Sequence, residues 1–242
     1  NRQIKTPFLD KFAAQGTLFT QFYVNGSVCS PSRTAFMTSH YPARHGVHGH
    51  FATHAQNKAR AMPNWLDPDV HTVTSLLKRA GYTTGHFGKW HLGPVKAESP
   101  TNPGAMGFDE WLSHDNFFEL NPYFSRNGGP PVQFQGESSE ILVEEAIRFM
   151  TVAIKNKQPF FVVVWYGSPH EPYSGLEKDL ALYSDLPDNY KDQTVSLTSN
   201  ETGLQVERPL GEVLQERYAE ITAMDRALGK LREWLGKEKL RQ

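Results

Sequence analysis

Cys29 heads a short run of residues that is suited to nucleophilic or anion chemistry. The run reads Cys29-Ser-Pro-Ser-Arg33, and the 242-residue chain has one cysteine. At the start of a helix, a thiol faces backbone N–H groups and the positive end of the helix dipole, and Arg33 adds a fixed charge one turn further on. These surroundings favour an activated nucleophile or a bound anion over the common alternative, a small buried apolar thiol.

The segment Gly88-Lys-Trp-His-Leu-Gly93 supplies two candidate cations. Side chains alternate along a strand, so Lys89 and His91 are predicted to share one face and to form an anion pocket at the strand end. The flanking glycines permit close approach of the backbone. The alternative for an isolated pair of this kind is a surface lysine beside a half-buried histidine.

His170 lies in the loop Ser168-Pro-His-Glu-Pro172, which follows the apolar run from Phe160 to Tyr166. In open α/β sheets, ligands bind at the carboxyl ends of the strands. His170 is therefore a candidate general acid or anion ligand. The alternative is a loop histidine that only hydrogen-bonds the backbone.

Apolar periodicity and end signals predict the elements that would position these residues. Helices are predicted from Thr6-Pro7 to Gly16, after Pro31, from Thr72 to Gly81, from Ser138 or Ser139 to about Lys155, and from Glu212 to Lys237. The helix at Thr72 is predicted to turn inward Val73, Leu76, Leu77 and Ala80, and the last helix Leu214, Tyr218, Ile221, Met224, Leu228 and Leu231. Strands are predicted at Leu18–Val24, Tyr82–Trp90 and Phe160–Trp165, the last as a central strand. Residues 40–69, 97–131 and 175–209 are predicted to be loops.

This alternation of strands and helices predicts an α/β sandwich around a central, largely parallel or mixed sheet flanked by helices. A net charge of −1 and a pI near 6.9 argue against a nucleic-acid partner. No apolar run approaches the roughly 20 residues of a membrane span.

Taken together, the three segments resemble the signatures of the type I (formylglycine-dependent) sulfatases, which belong to the alkaline-phosphatase-like superfamily. The first signature is similar to Cys29-Ser-Pro-Ser-Arg33 with Met37-Thr-Ser39 and Tyr41-Pro-Ala-Arg44. The second is similar to Ala80-Gly-Tyr-Thr-Thr84 with Gly88–Gly93, and a third element to Pro169-His-Glu-Pro172. The family usually has Gly-Arg where this chain has Ser39-His40, and we expect that difference to concern the helix end rather than the chemistry.

The resemblance implies hydrolysis of sulfate esters, with a sulfated carbohydrate as the expected substrate. Cys29 would be oxidised to formylglycine by a maturation enzyme that recognises Pro31 and Arg33, and the oxidised side chain would be a ligand of a divalent cation, typically Ca²⁺. Arg33 would stabilise the hydrated aldehyde and Lys89 would bind sulfate oxygens. His91 would assist the release of sulfate, and His170 would bind sulfate and protonate the leaving oxygen. A periplasmic, secreted or lysosomal setting is typical of the family.

The carboxylate ligands of the family's metal are not found at matching places. They come from an Asp pair before the helix at Thr6, and from an Asp with an Asn or His after the helix that ends at Lys237. Asp10 and Asp225 fall inside predicted helices and match neither motif. We therefore expect residues 1–242 to form an incomplete catalytic domain that is inactive alone.

Two other functions remain open at this point. One is hydrolysis of phosphate or phosphonate esters, which enzymes of the same superfamily perform, although the Lys89 and His91 pair favours sulfate. The other is an inactive relative that binds sulfated glycans or a partner protein.

Overall fold

The computed structural model describes residues 3–190, 192–198 and 204–240. Its helices are α1 Pro7–Gln15, α2 Cys29–Thr38, α3 His54–Ala59, α4 Val73–Arg79, α5 Ser138–Lys155, α6 Glu177–Leu180 and α7 Leu210–Lys237. Short 3₁₀ turns lie at Pro42–His45, Ala181–Tyr183 and Asp188–Tyr190. Its strands are β1 Thr83–Lys89, β2 Glu110–His114, β3 Tyr123–Arg126, β4 Val132–Gln133, β5 Phe160–Trp165, β6 Thr194–Thr198 and β7 Gln205–Pro209.

A mixed sheet forms the centre of the fold. Over the described residues it has five strands in the order β4-β3-β2-β1-β5. β1 runs parallel to β2 and to β5, with Gly85 opposite Glu110 and Val162, whereas β3 and β4 are antiparallel additions. β6 and β7 form a separate antiparallel hairpin. The predicted α/β class with a mixed central sheet flanked by helices is confirmed.

Two apolar clusters cover the sheet, one on each face. One contains Trp90, Phe108 and Val163, and the other contains Phe87, Leu142 and partners from α7. β5 contributes to both, since Val163 packs into the first while Val162 and Val164 pack against the second. Coverage of both faces explains why the sequence of β5 is apolar throughout. Its predicted central place is nevertheless wrong, because β5 is the edge strand of the described sheet.

The strand predicted at Leu18–Val24 is also wrong, because residues 17–28 are irregular. Leu18, Phe19 and Tyr23 are 69%, 70% and 81% exposed, and no neighbouring strand pairs with them within the described ranges. Aromatic and β-branched residues favour a strand only where a sheet edge supplies hydrogen bonds and packing.

All three predicted loops contain regular structure that short length and turn residues conceal. Residues 97–131 include β2, whose Trp111 and Leu112 are buried, and also β3. Residues 175–209 include α6 and the hairpin of β6 and β7, although residues 191 and 199–203 lie outside the described residues. The predicted loop at 40–69 holds α3 and a 3₁₀ turn.

The helix predictions are confirmed in place and only partly in orientation. Thr72 caps α4 in a capping box, but Leu76 is 52% exposed and Thr74 is the residue of α4 that is buried. Glu137, rather than Ser138 or Ser139, caps α5 by accepting from the Glu140 N–H. These errors arise because apolar periodicity predicts that a helix is present, but not which neighbouring element packs against each of its turns.

α7 buries small residues more completely than its large apolar ones. Of its predicted inward residues, Tyr218 is fully buried, whereas Leu214, Ile221, Met224, Leu228 and Leu231 are half-buried. Ala219, Ala223 and Ala227, in contrast, are buried. None of the described helices is both long and apolar enough to cross a bilayer.

The end of α2 lies at the unusual Ser39-His40 pair. Ser39 is left-handed, with φ 59°, and its N–H donates to the Ala35 carbonyl at 2.8 Å. His40 stacks on His45 with ring centroids 5.3 Å apart. Ser39 thus terminates the helix as expected.

Candidate active site

Cys29 is the first residue of α2. Val28 precedes it in an extended conformation, and no described side chain caps the first turn of the helix. The thiol is half-buried and its Sγ lies 2.9 Å from His91 Nδ1. Cys29 therefore combines a helix N-terminus with a hydrogen-bonding partner, an arrangement that activates nucleophiles.

His91 lies beyond the end of β1, so strand alternation does not place it. Its backbone is left-handed, with φ 53°, and its N–H donates to the Asp115 carbonyl at 3.0 Å. The ring Nε2 lies 3.0 Å from the Phe51 carbonyl oxygen, which can only accept, so Nε2 carries the proton and Nδ1 is an acceptor facing the thiol. Burial, reinforced by the charge of Lys89, lowers the pKa of His91 to about 3.

Ser30 fixes the two segments that hold this imidazole. Its hydroxyl donates to the His91 carbonyl at 2.9 Å and accepts from the Phe51 N–H at 3.1 Å. The residue next to Cys29 therefore fixes the positions of both the His91 ring and the Phe51 carbonyl that accepts from it.

Arg33 lies one turn into α2 and is held against the end of the sheet. Its guanidinium donates to the Lys89 carbonyl and stacks over Trp165 with 4.4 Å from Cζ to the ring centroid. Burial lowers the pKa of Arg33 to about 10, and the Cys29 side chain opposes that shift. At neutral pH, Arg33 remains a fixed positive charge beside Cys29.

Lys89 is the last residue of β1 and is only 3% exposed. Burial lowers the pKa of Lys89 to about 8, and the charge of Arg33 acts in the same direction while Cys29 acts against it. The ammonium lies 4.0 Å from the ring centroid of Phe117, within cation–π range. A desolvated ammonium of this kind is a strong anion ligand in its charged form.

His170 is exposed on the loop after β5. Its ring stacks on Phe117 with centroids 3.9 Å apart, and its Nδ1–H donates to the Glu171 carbonyl at 2.9 Å. His170 therefore makes the backbone hydrogen bond that the alternative of an ordinary loop histidine predicts, but its Nε2 can still bind a ligand. Desolvation by burial lowers the pKa of His170 from its usual value, the Glu171 carbonyl opposes that shift, and Lys89 acts with burial.

One cleft joins these groups. It has a volume of ≈ 1000 Å³ and is lined by Cys29, Arg33 and His170 together with His50, Asn116 and Trp165. Lys89 and His91, 3% and 6% exposed, are set more deeply beside Cys29. The structure thus brings all five predicted site residues together.

Sequence reasoning missed the residues that orient the predicted ones. Phe51 acts through its carbonyl, which no residue type reveals, and Trp165 was counted only as part of an apolar strand. Phe117 follows β2, and the aromatic pair Phe117-Phe118 after a buried strand was a signal that could have found it. His50, on the cleft wall, lay in a segment interpreted as a loop.

The residues do not by themselves fit the calcium ion that the resemblance implies. Among residues 3–190, 192–198 and 204–240, no group of three or more His, Cys, Asp or Glu side chains is arranged to hold a metal. Asp225 is instead a structural cap, because it accepts from the N–H groups of Phe8 and Leu9 at the start of α1.

Comparisons with known proteins place the chain among sulfatases. The sequence model of the family described as Sulfatase matches residues 1–242. The chain is 30% identical over 234 residues to the ulvan-active sulfatase of Formosa agariphila, which covers 94% of this chain and 42% of that protein. It is 30% identical over 195 residues to the N-acetylgalactosamine-6-sulfatase of Mus musculus, over 69% of this chain and 36% of that one.

A solved structure gives the same relationship in three dimensions. The crystal structure of Ps i-CgsB in complex with a neocarrahexaose superposes with a TM-score of 0.77 at 25% identity, over 98% of this chain and 50% of the other. The chain thus spans half or less of the length of these similar proteins.

Proposed function

The chain belongs to the sulfatase family, and from this premise we propose that its cleft serves the hydrolysis of sulfate esters. The observation that carries the proposal is the convergence of Arg33, Lys89, His91 and His170 on the surroundings of Cys29. Two cations, a proton acceptor and a second histidine are the groups that a sulfate ester needs for binding, attack and departure.

We further propose that Cys29 is oxidised to formylglycine. The hydrated aldehyde supplies one hydroxyl that attacks sulfur while the bond from sulfur to the alcohol oxygen breaks, and a second whose deprotonation later expels sulfate and restores the aldehyde. His91 is placed for the proton of that second hydroxyl, since its Nδ1 lies 2.9 Å from the Cys29 Sγ and is an acceptor. Arg33 remains charged and stabilises the oxygens at position 29.

Lys89 and His170 hold the sulfate group in this proposal. Lys89 offers a buried ammonium to the sulfate oxygens, and His170 offers Nε2, because its Nδ1 is engaged with the Glu171 carbonyl. To protonate the leaving oxygen, His170 must carry a proton on both nitrogens. Burial lowers the pKa of His170, so this doubly protonated form is populated at lower pH than it would be in an exposed histidine.

A sulfated carbohydrate is the proposed substrate. The cleft of ≈ 1000 Å³ is large enough for a sugar and is open to solvent. Among similar proteins, one is an N-acetylgalactosamine-6-sulfatase and another has a crystal structure in complex with a neocarrahexaose. Comparing a sulfated oligosaccharide, its phosphorylated analogue and the unmodified sugar by calorimetry tests this choice. Binding of the phosphorylated analogue above the sulfated one would favour the phosphate-ester alternative.

Mass spectrometry tests the proposed nucleophile. The chain is expressed together with a formylglycine-generating enzyme, and the mass of the tryptic peptide that ends at Arg33 is measured. We expect a mass with aldehyde in place of thiol in the wild type, and none in Cys29→Ala. An unmodified thiol, in a host that converts a known sulfatase, would remove formylglycine from the mechanism. The inactive binding-module interpretation would then take its place.

A further inference from the structure

Two loops form the part of the cleft where sulfate is proposed to bind. The loop after β2 carries Phe117, and the loop after β5 carries His170. They meet at the ring contact of these two residues, which are 3.9 Å apart with an interplanar angle of 31°. Phe117 also contacts the Lys89 ammonium. A shift of either loop would therefore move the groups assigned to sulfate.

Ser174 joins both loops to α7. Its N–H donates to Glu220 Oε1 at 3.0 Å, and its hydroxyl accepts from the Leu120 N–H at 3.3 Å. The next residue, Gly175, lies so close to α7 that an added Cβ would sit 2.8 Å from the Ala219 Cβ. The loop after β5 thus rests on α7 at the turn that carries Glu220.

Glu220 is an unusual anchor, since it is an acid that is 4% exposed. Its Oε2 has no hydrogen-bond partner among the described residues. Burial raises the pKa of Glu220 to about 8, with the Ser174 N–H opposing the shift and Glu137, Glu119 and Glu216 adding to it. A buried carboxyl with one unsatisfied oxygen lowers the stability of the fold, so its presence needs an explanation.

We propose that Glu220 is a positioning residue which, through Ser174, holds the Phe117 loop and the His170 loop together over Lys89. The role of His170 in this inference rests on the sulfatase function proposed above. Glu220 does not line the cleft and contacts no reacting group, so it acts only through the two loops.

Amide exchange measured residue by residue by NMR on the 242-residue chain tests the anchoring. In Glu220→Ala, we expect the amide of Ser174 to exchange roughly tenfold faster, because it loses its acceptor, and that of Leu120 to follow. In Glu220→Gln, we expect exchange near the wild-type rate, because the carboxamide oxygen still accepts. Glu233→Ala, an exposed change on the same helix, is the control and should alter neither amide.

Ser174→Ala distinguishes the anchoring of one loop from that of the other. It also provides a test if Glu220→Ala does not fold. It keeps the N–H that donates to Glu220 and removes the hydroxyl that accepts from Leu120. We expect faster exchange in the loop after β2, with the loop after β5 still protected. Unchanged exchange of Leu120 in Ser174→Ala, or of Ser174 in Glu220→Ala, would overturn the inference.

Sulfate titration distinguishes this inference from the function on which it rests. The ring signals of His170 are followed while inorganic sulfate is added to the wild type, Glu220→Gln and Glu220→Ala. We expect saturable shifts in the first two and at least tenfold weaker binding in the third, the equivalent of one lost hydrogen bond. No shift in the wild type would refute the sulfate role of His170, while the exchange data alone would still decide the anchoring. Equal affinity in all three proteins would overturn the positioning role.

Discussion

Three basic residues around Cys29 respond differently to pH, although burial lowers the pKa of each. His91, with a pKa of about 3, is neutral under ordinary conditions, and Arg33, with a pKa of about 10, stays charged at neutral pH. Lys89, with a pKa of about 8, changes its charge close to physiological pH. The anion affinity of the site should therefore follow Lys89 more than the other two.

We predict that the unmodified chain loses affinity for inorganic sulfate as pH rises through about 8. The charged ammonium is the binding form, and its population falls about tenfold for each pH unit above the pKa. Calorimetric titrations at pH 7 and pH 9 measure the effect. Lys89→Arg should bind at both values, since a guanidinium holds its proton over this range.

Lys96→Ala is the matched control, because Lys96 is an exposed lysine paired with Glu98. It should bind like the wild type at both pH values. Sulfate affinity in the wild type that is the same at pH 7 and pH 9 would contradict the assignment of Lys89.

Residue types revealed the reactive groups better than they revealed the geometry. Alternation along a strand predicted that Lys89 and His91 lie together. However, β1 ends at Lys89, and His91 faces Cys29 because its own backbone is left-handed. The proton location on His91 depends on the Phe51 carbonyl, and a backbone acceptor leaves no trace in side-chain identity.

At the scale of elements, the approach of β1 to β5 depends on Gly88. Its φ is 117°, and an added Cβ would lie 1.9 Å from the Trp165 carbonyl oxygen. Two independent features therefore exclude a side chain at position 88: the positive φ of its backbone and the proximity of the Trp165 carbonyl.

We predict that Gly88→Ala destabilises the fold by about 4 kcal/mol or more, the range of severe backbone and packing defects. Gly81→Ala is the control, because Gly81 also has positive φ, 90°, but nothing lies within 4 Å of its added Cβ. That change should cost about 1–2 kcal/mol from conformation alone. Urea unfolding measures the loss of stability in both variants. Equal losses would show that the contact with the Trp165 carbonyl adds nothing to the cost of the side chain at position 88.

Long elements with strong patterns could be predicted, and short or unsupported ones could not. β1, β5, α5 and α7 appear where the sequence places them, since each has enough residues for a clear period. β2 was missed because it has 5 residues between turn-rich segments. Residues 18–24 carry a strand composition, but a strand also needs a neighbour, which composition does not specify.

For the whole molecule, buried acids make stability depend on pH. Glu220 has a pKa of about 8 in the folded chain, above its usual 4.5. Between these values the folded state binds more protons than the unfolded state, so stability falls as pH rises from about 4.5 to 8. Burial also raises the pKa of Glu137, which faces Glu220 from the start of α5, and adds to the same trend.

We predict that Glu220→Gln changes little near pH 4.5 and becomes progressively more stable than the wild type toward pH 8.5. The difference should reach a few kcal/mol, since each pKa unit is worth about 1.4 kcal/mol. Thermal and urea unfolding at several pH values measure it. A constant difference across this range would show that Glu220 ionises as an ordinary exposed acid.

We also predict that residues 1–242 give no turnover of sulfate esters by themselves, even with formylglycine at position 29 and added Ca²⁺. The described residues offer no cluster of acidic and imidazole ligands, and hard cations need several oxygen donors. A sensitive fluorogenic sulfate assay with a calcium series tests this. Calcium-dependent turnover would show that the chain assembles a metal site after all.

The cap that Asp225 gives to α1 has a consequence for how the chain is made. α1 has 9 residues and buries none of them, and an isolated helix of that length is marginal in water. Its first turn is closed by a carboxylate 216 and 217 residues further along, and its Phe8 lies against Gly229. On the ribosome, α1 emerges before α7 and must therefore wait until the segment that carries Asp225 has been translated. During that interval its aromatic side chains are within reach of chaperones.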